Sequence, residues 1–325
     1  MRPPSSPRQS RFPPRARARL LLVPAAACLV AALAATGGRA SPMLDLLREA
    51  LPLWLGGSVL TLILALPMVA SSRTRRAGAW AAGLALGGGL ISGALMAPEY
   101  LRPIPVMSAP PSGSTPIVLI QWNAWAQNRD PEGAAAWLAA RSPDVITLED
   151  ARAPIREALI RRGYHLTSGI SDTVIFSKAP PVRSSVVVPP ALWPHLPGFA
   201  RATFMTPNGP FTVVAVHLKR PYLADTRPAI AALSVLLDGY DRGRVIVAGD
   251  FNLAPWTSGL EAADARLGLV RRDRALASWP ARSWPSPLLP IDHVYAGSRL
   301  ASDTPKRARA VGSSHFAVIT RLALK

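Results

Sequence analysis

The stretch VIVAGDFNLAPW, residues 245–256, sets an acid and an amide two residues apart at the end of an apolar run. Strand side chains alternate between faces, so Asp250 and Asn252 are expected to point the same way. A carboxylate beside a carboxamide makes a polar site, not a core. The arrangement recurs. Asn123 closes PIVLIQWN, Glu149 and Asp150 close DVITLED, and His217 closes FTVVAVH. Asp292 opens the run DHVYA and His315 opens HFAVITR. A single Asp or Asn at a strand end is ordinarily a turn former. Turn formation does not account for nearly every expected inner strand ending in Asn, Asp, Glu or His.

These residue types define a chemistry. Carboxylate and amide oxygens are hard ligands that suit Mg²⁺ or Mn²⁺ rather than zinc. Imidazoles beside carboxylates hydrogen-bond phosphate oxygens and move protons. A divalent ion neutralises phosphoryl charge and helps turn water into a nucleophile. Together they point to metal-assisted hydrolysis of a phosphate ester.

Positioning such a set requires many short strands. Apolar runs predict strands at 116–123, 144–149, 173–177, 183–188, 200–206, 211–217, 244–248, 291–296 and 315–321. Helical patterns fall near 132–141, 153–162 and 224–239. Many strands with few helices argue for stacked sheets with helices outside, within a domain spanning 116–325.

The rest of the chain has a different composition. Residues 20–37, 51–70 and 77–97 are uncharged apolar stretches, each near the ~20 residues a bilayer-crossing helix needs. They form an expected membrane anchor over 20–97. Residues 1–19 hold six Arg and read as a disordered basic tail. The Pro- and Ser-rich residues 98–115 read as a linker. Arg73, Arg75 and Arg76 lie between the second and third stretches, against Arg39 and Arg48 between the first and second. With the tail and the 71–76 loop inside, the positive-inside rule puts the C-terminal domain on the extracytoplasmic side of the cell membrane. A cleaved first stretch, for which GRAS near residue 41 offers small residues, leaves that orientation unchanged.

The net charge is +18. The part after residue 109 carries 25 basic and 16 acidic residues, a balance that suits a polyanionic or phosphate-bearing substrate or an anionic membrane surface. Cys28 is the one cysteine, which excludes an intrachain disulfide and a thiolate metal cluster.

The motifs QWNAW, PDVITLED, VVAVHLKRP, GDFN, PIDHVYAG and SSHFAVI, in that order, resemble the endonuclease/exonuclease/phosphatase superfamily over nearly all of 116–325. GDFNLAPW followed by SWP and LLPIDHV is similar to its bacterial membrane-anchored branch. The resemblance implies a four-layer α/β sandwich of two packed, mostly antiparallel sheets flanked by helices, here preceded by three transmembrane helices. It implies a metal-dependent phosphoric ester hydrolase, a nuclease or a phosphodiesterase/phosphatase, with Mg²⁺ or Mn²⁺ as cofactor. The substrate would be a nucleic acid, a phospholipid headgroup or a soluble diester.

Roles follow by position. Asn123 would help orient metal and phosphate, and His217 would hydrogen-bond the scissile phosphate. Asp250 would position or deprotonate the attacking water, and Asn252 would contact a phosphate oxygen. Asp292 would orient the final catalytic residue, His315, and take part in holding metal. The register puts Asp150 in the place of the family's metal-binding Glu and Glu149 in the place of its Gln. Asp150 is the favoured ligand and Glu149 the second candidate, the two facing opposite sides unless the strand bends. Ser314 stands where the family carries an Asp. With the Glu149–Asp150 shift, it motivates an alternative: a catalytically weak or inactive module that binds a phosphate ligand at the membrane. Arg220, in HLKRP, is the candidate phosphate contact. His165 and His195 read as surface residues, and His293 as packing away from the site. Trp122, Trp125, Trp256, Trp279 and Trp284 read as core or loop anchors before an aromatic rim.

Overall fold

The computed structural model describes residues 14–325 apart from 108, 185–187, 197, 283–287 and 310. The chain divides into two compact units, 1–98 and 99–325.

The first unit is helical. Helix α1 (Pro14–Leu20) leads to α2 (Leu22–Ala35), which runs on as a 3₁₀ turn to Arg39. Helix α3 (Pro42–Glu49) is followed by α4 (Leu51–Ala70) and α5 (Arg75–Leu101). Residues 14–19, expected in a disordered tail, are helical instead: Ala, Arg and Leu favour helix and Pro14 fits its first position. Residues 1–13 lie outside the described set. Three helices, Ala18–Arg39, Leu51–Ala70 and Arg75–Leu101, are long and apolar enough to cross a membrane. Their large side chains turn outward; Val23, Leu60, Ile63 and Leu90 are all more than half exposed. The inward faces are small. Ala25, Ala65, Ala81 and Ala85 cluster, and a Cβ on Gly88 would lie 3.0 Å from the Leu29 nitrogen and from Ser58 Oγ. Close approach over small residues is how helices associate where apolar burial provides no drive. Helix α3 was not expected. Pro42 starts it, and buried Arg48 donates from Nε to the Ala35 carbonyl at 3.2 Å, which satisfies an end of α2.

The second unit has four layers. Its elements in order are β1 (Thr115–Asn123), α6 (Pro131–Ala139), β2 (Val145–Glu149), α7 (Ala153–Arg161), β3 (His165–Ser168), β4 (Val174–Ser177), β5 (Gly198–Thr206) and β6 (Gly209–His217). Then come α8 (Arg227–Leu236), β7 (Val245–Asp250), α9 (Ser258–Arg266), β8 (Val270–Arg271), β9 (Asp292–Ala296), β10 (Leu300–Ser302), β11 (Lys306–Arg307) and β12 (Val318–Leu324). One sheet runs β10-β12-β1-β2-β4-β3 with β11 on β12; the other runs β5-β6-β7-β9-β8. Both are mixed: β1 and β2 pair in parallel, as do β6 and β7, and the other pairs are antiparallel.

Period-two alternation sorts the apolar residues into three cores. Ile117, Leu119, Val145, Val213, Ile246 and Val294 fill the space between the sheets. Ile120, Trp122, Ile146 and Leu148 face α6 and α7. Val214, Val216, Val245, Val247 and Tyr295 face α8 and α9. Continuing the inward series along each strand reaches Asn123, Glu149, His217 and Asp250, and the inward series of β9 begins at Asp292. The polar residues are therefore the end of the inter-sheet core.

Several expected boundaries move. The strand at 315–321 begins at Val318 instead. The His315 amide bonds Ser313 Oγ and its carbonyl accepts from Trp122 Nε1, so this backbone is outside the ladder. The strand at 183–188 is not a strand among the described residues: Arg183 makes one bridge to Thr203, and 185–187 lie outside the description, as does Trp284. The segment expected as a linker is docked. The Met107 amide bonds the Ser302 carbonyl, and Arg102 Nη1 donates to the Arg271 carbonyl at 2.9 Å. Helix α9 and strands β3, β8, β10 and β11 were not expected. Thr257 caps α9 by accepting from the Leu260 amide.

Gly249 sits between the apolar run and Asp250, where β6 and β7 lie in close contact. A Cβ there would lie 1.9 Å from the Val216 carbonyl oxygen. Gly249→Ala is expected to cost about 1–3 kcal/mol of unfolding free energy in chemical denaturation, because backbone has to move.

Candidate active site

Parallel pairing brings the C-terminal ends of β1 and β2 side by side, with Asn123 opposite Glu149. It does the same for β6 and β7, with His217 opposite Asp250. Antiparallel β9 places Asp292 opposite Asp250. The two sheets meet where Asn123 Nδ2 donates to Asp250 Oδ2 at 3.0 Å.

Asp250 lies at the centre. Its Oδ1 accepts the Asn252 amide at 2.8 Å. Its Oδ2 lies 3.7 Å from His217 Nε2 and 3.8 Å from His315 Nε2. Each imidazole is backed by a second acid: His217 Nδ1 is 3.2 Å from Asp172 Oδ1, and His315 Nδ1 is 2.9 Å from Asp292 Oδ2. Backing carboxylates hold both rings with Nε2 toward Asp250. Asp292 also accepts from Gln121 Nε2 at 2.9 Å, and the same amide donates to Glu149 Oε2 at 3.1 Å.

Asp150 and Glu149 differ in access. Glu149 ends β2 on the inward face and is fully buried. Asp150 would point outward by alternation, but the chain turns there at φ 51° and brings it to the cleft. Asn252, at φ 51°, also reaches the cleft from a turn rather than from the strand. The cleft holds about 380 Å³ and is walled by Asp150, Asp172, His217, Asn252 and His315. Arg220 and Ser314 also line it; Arg220 Nη1 donates to the Tyr222 hydroxyl at 3.1 Å. Trp125 lines it too, with the Arg282 guanidinium 5.1 Å from its ring centroid. Trp122 and Trp256 are buried. His165 and His195 are exposed, and His293 is buried on the outward face of β9.

Asp172 and Gln121 were missed in the sequence. Asp172 stands two residues before β4, and antiparallel pairing of Leu148 with Val174 sets the start of β4 beside the end of β2. Gln121 is two residues before Asn123 and shares its face.

Titration follows from burial and pairing. Burial drives Glu149 well above the usual carboxylate range, and the nearby Asp292 and Asp250 charges push it further. Burial also raises Asp250, against the His315 and His217 charges that lower it. Burial opposes ionisation of Asp292, but the charge and hydrogen bond of His315 outweigh it and hold that carboxyl low. Burial and a hydrogen bond with Asp172 raise Asp150. Burial disfavours charged His217, yet its bond to Asp172 and the charges of Asp250 and Asp172 push it up to about 9. His315 is raised for parallel reasons, chiefly by Asp292.

The donor set fits a divalent cation. Ligand atoms of Asp150, Asp172 and His217 lie within 4.8 Å of one another, as do those of Asp250, Asp292 and His315. Gln121 Oε1 and Glu149 Oε1 are buried oxygens with no hydrogen-bond partner.

Comparison with known proteins identifies the family and the fold. The model of the Endonuclease/Exonuclease/phosphatase family matches residues 120–315. The chain belongs to that family. Its members are generally hydrolases of phosphate esters and typically use a divalent metal. No curated protein matches. A solved endonuclease/exonuclease/phosphatase from Bacteroides vulgatus is 11% identical with a TM-score of 0.52, covering 65% of this chain and 100% of its own. A family protein from Bacteroides thetaiotaomicron is 14% identical, TM-score 0.51, covering 65% and 96%. A mannosyl-6-phosphatase from the same organism is 14% identical, TM-score 0.50, covering 63% and 99%. At these identities the likeness is one of fold.

The raised pKa of His217 has a sign in stability. The folded protein holds this proton between pH 6.5 and about 9, whereas the unfolded chain releases it near 6.5. The contribution is complete below 6.5 and is lost as pH rises through 9. In chelator, Tm is expected to fall across that window, and His217→Gln is expected to flatten the fall.

Proposed function

We propose that this chain is a membrane-anchored, divalent-metal-dependent phosphoesterase that hydrolyses a phosphodiester or phosphomonoester by attack of water. The observation that carries the reading is Asp250 Oδ2 held between two imidazole Nε2 atoms, each ring backed by its own carboxylate, at the floor of an open cleft. Water attack needs a base, charge stabilisation at the phosphoryl oxygens and a proton for the leaving oxygen. Asp250, raised toward neutrality, takes the proton of the attacking water. His217, charged at neutral pH, donates to a phosphoryl oxygen. Asn252 steadies another. His315, oriented by Asp292 and with its pKa raised chiefly by that carboxylate, supplies the second donor at Nε2. Asp150, with Asp172 beside it and the Asn123 amide near, is the favoured metal ligand; Asp292 contributes from beneath, and Glu149 is set back by burial. The Mg²⁺ or Mn²⁺ they would hold supplies Lewis-acid stabilisation of phosphoryl charge. Arg220 at the cleft is suited to grip the non-reacting part of a phosphate ester.

The three apolar helices anchor the chain as a multi-pass protein of the cell membrane. The Arg bias of the tail and of the 71–76 loop supports an extracytoplasmic catalytic unit. A reporter fused after Lys325 is expected to behave as extracytoplasmic; a cytoplasmic signal overturns that orientation.

A substrate panel tests the activity: an aryl phosphodiester, an aryl phosphomonoester, single- and double-stranded DNA, and phospholipid in mixed micelles, each with Mg²⁺ or Mn²⁺. At least one is expected to turn over, with loss on chelation and a fall of about 100-fold or more in kcat for Asp250→Ala. Phosphate binding without turnover would favour the inactive-module reading that Ser314 motivates. A nucleic-acid substrate is expected to lose affinity steeply with added salt.

A further inference from the structure

The helix-covered face of the second sheet holds a buried ionic cluster with no part in the chemistry above. It starts at Glu99, in the last turn of α5, where the second unit begins. Arg271 grips Glu99 with two parallel bonds, Nη1 to Oε1 at 2.9 Å and Nη2 to Oε2 at 2.8 Å. The same guanidinium lies 3.7 Å from Asp273 Oδ2 and bonds Asp264 of α9 at 3.1 and 3.0 Å. Asp273 Oδ2 lies 2.6 Å from His293 Nδ1, and its Oδ1 accepts the Val294 amide at 2.9 Å. His293 Nε2 then lies 2.9 Å from the Leu253 carbonyl. A carbonyl only accepts, so the ring donates there.

Leu253 follows Asn252, whose backbone is in the left-handed region at φ 51°. Asn enters that region more readily than other non-glycine residues, and here its surroundings fix it there. On one side the Asn252 amide bonds Asp250 and its side chain donates to the Leu218 carbonyl at 2.9 Å. On the other side the His293 bond to Leu253 and the edge-on contact of His293 with Phe251, 5.6 Å between centroids, hold the chain. Downstream, Asp264 on α9 takes bonds from Arg271 and from the Tyr295 hydroxyl at 2.7 Å. Leu253 in the loop, through His293 and Asp273, and the helix that follows the loop, through Asp264, are thus tied to one guanidinium.

We propose that Glu99, Arg271, Asp273 and His293 form a positioning relay that holds the 250–257 loop in the left-handed turn aiming Asn252 into the cleft. The proposal rests on the hydrolase reading of the cleft. Glu99, Arg271, Asp273 and His293 are nearly or fully buried, so removing one member strands its partner without water. The relay responds as a unit. Asn252 is the residue through which it acts.

The test uses the full chain in detergent micelles, with bis(4-nitrophenyl) phosphate and Mn²⁺ as the activity probe. His293→Leu and Glu99→Gln are made in the native background and in an Asn252→Ala background. In the native background kcat is expected to fall about tenfold with KM changed less than about threefold. In the Asn252→Ala background neither change is expected to lower kcat further, the signature of a shared effect. A second readout needs no turnover: amide hydrogen exchange over 250–257 is expected to rise about tenfold while β1 and β12 stay protected. Asp273→Asn, which keeps an acceptor for His293 or for Val294, is expected to give a smaller effect of the same pattern and serves if His293→Leu does not fold. Equal losses of kcat in both backgrounds, or unchanged exchange over 250–257, overturn the relay. Absence of hydrolysis by the wild type would sink the hydrolase reading while leaving the exchange measurement to decide the relay.

Discussion

Three acids, Glu149, Asp250 and Asp292, end on the inward faces of two stacked sheets, where water cannot solvate them. An isolated carboxylate in such a place is too costly to keep charged. Each is compensated differently. Glu149 is pushed toward its neutral form by burial and by the Asp292 and Asp250 charges. Asp292 is matched by His315 and the Gln121 amide. Asp250 draws on Asn123, the Asn252 amide and two imidazoles. The register that delivers these acids is the register that buries Ile117, Leu119, Val145, Ile246 and Val294. A slip of one residue in any of these strands would send the acid to a helix-covered face and an apolar side chain into the cleft. Core packing and site assembly are therefore one constraint.

The two histidines flank Asp250 in similar geometry but in different surroundings. His217 opens on the cleft and gains its charge from Asp172, a residue at the cleft wall. His315 is buried, its ring fixed by Asp292 and its backbone by Trp122 and Ser313. A half-buried donor at the cleft wall suits contact with a substrate oxygen. A fixed, buried one suits a step in which the proton must arrive at one point. The difference arises from whether the backing acid sits on a loop, as Asp172 does, or at the start of a central strand, as Asp292 does.

Much of this was legible in the sequence. Alternation in β1, β2, β6 and β7 is regular because both faces are covered, so strand positions and the inward direction of Asn123, His217 and Asp250 follow from apolar spacing. The three long apolar helices stand out by length alone. What escaped had physical reasons. Helix α9 buries small residues, Gly259 and Ala263, beside one Leu, which leaves no apolar stripe to read. Residues 183–188 look like a strand by β-branching, but among the described residues Arg183 makes a single bridge, to Thr203. The docked segment after α5 is Pro-rich like a linker, and it is held by Glu99 and Arg102, whose partners lie about 170 residues away. Asp172 was missed because its place depends on the pairing of β2 with β4, which spacing along the chain does not encode.

The Glu149–Asp150 inversion is less disruptive than its chemistry suggests. A Glu reaching forward from an inward strand position and an Asp reaching back from a left-handed turn both bring an acid to the same end of β2. Here the turn at Asp150 brings its carboxyl to the cleft, while Glu149 stays buried and accepts from the Gln121 amide. Ser314 and Asp172 both line the cleft, and Asp172, its carboxyl held low by the bond to His217, stands with Asp150 there. His315 Nε2 faces Asp250 Oδ2 at 3.8 Å, and the residue before it in the chain carries a hydroxyl rather than a carboxylate, so no acid adjoins that imidazole along the backbone.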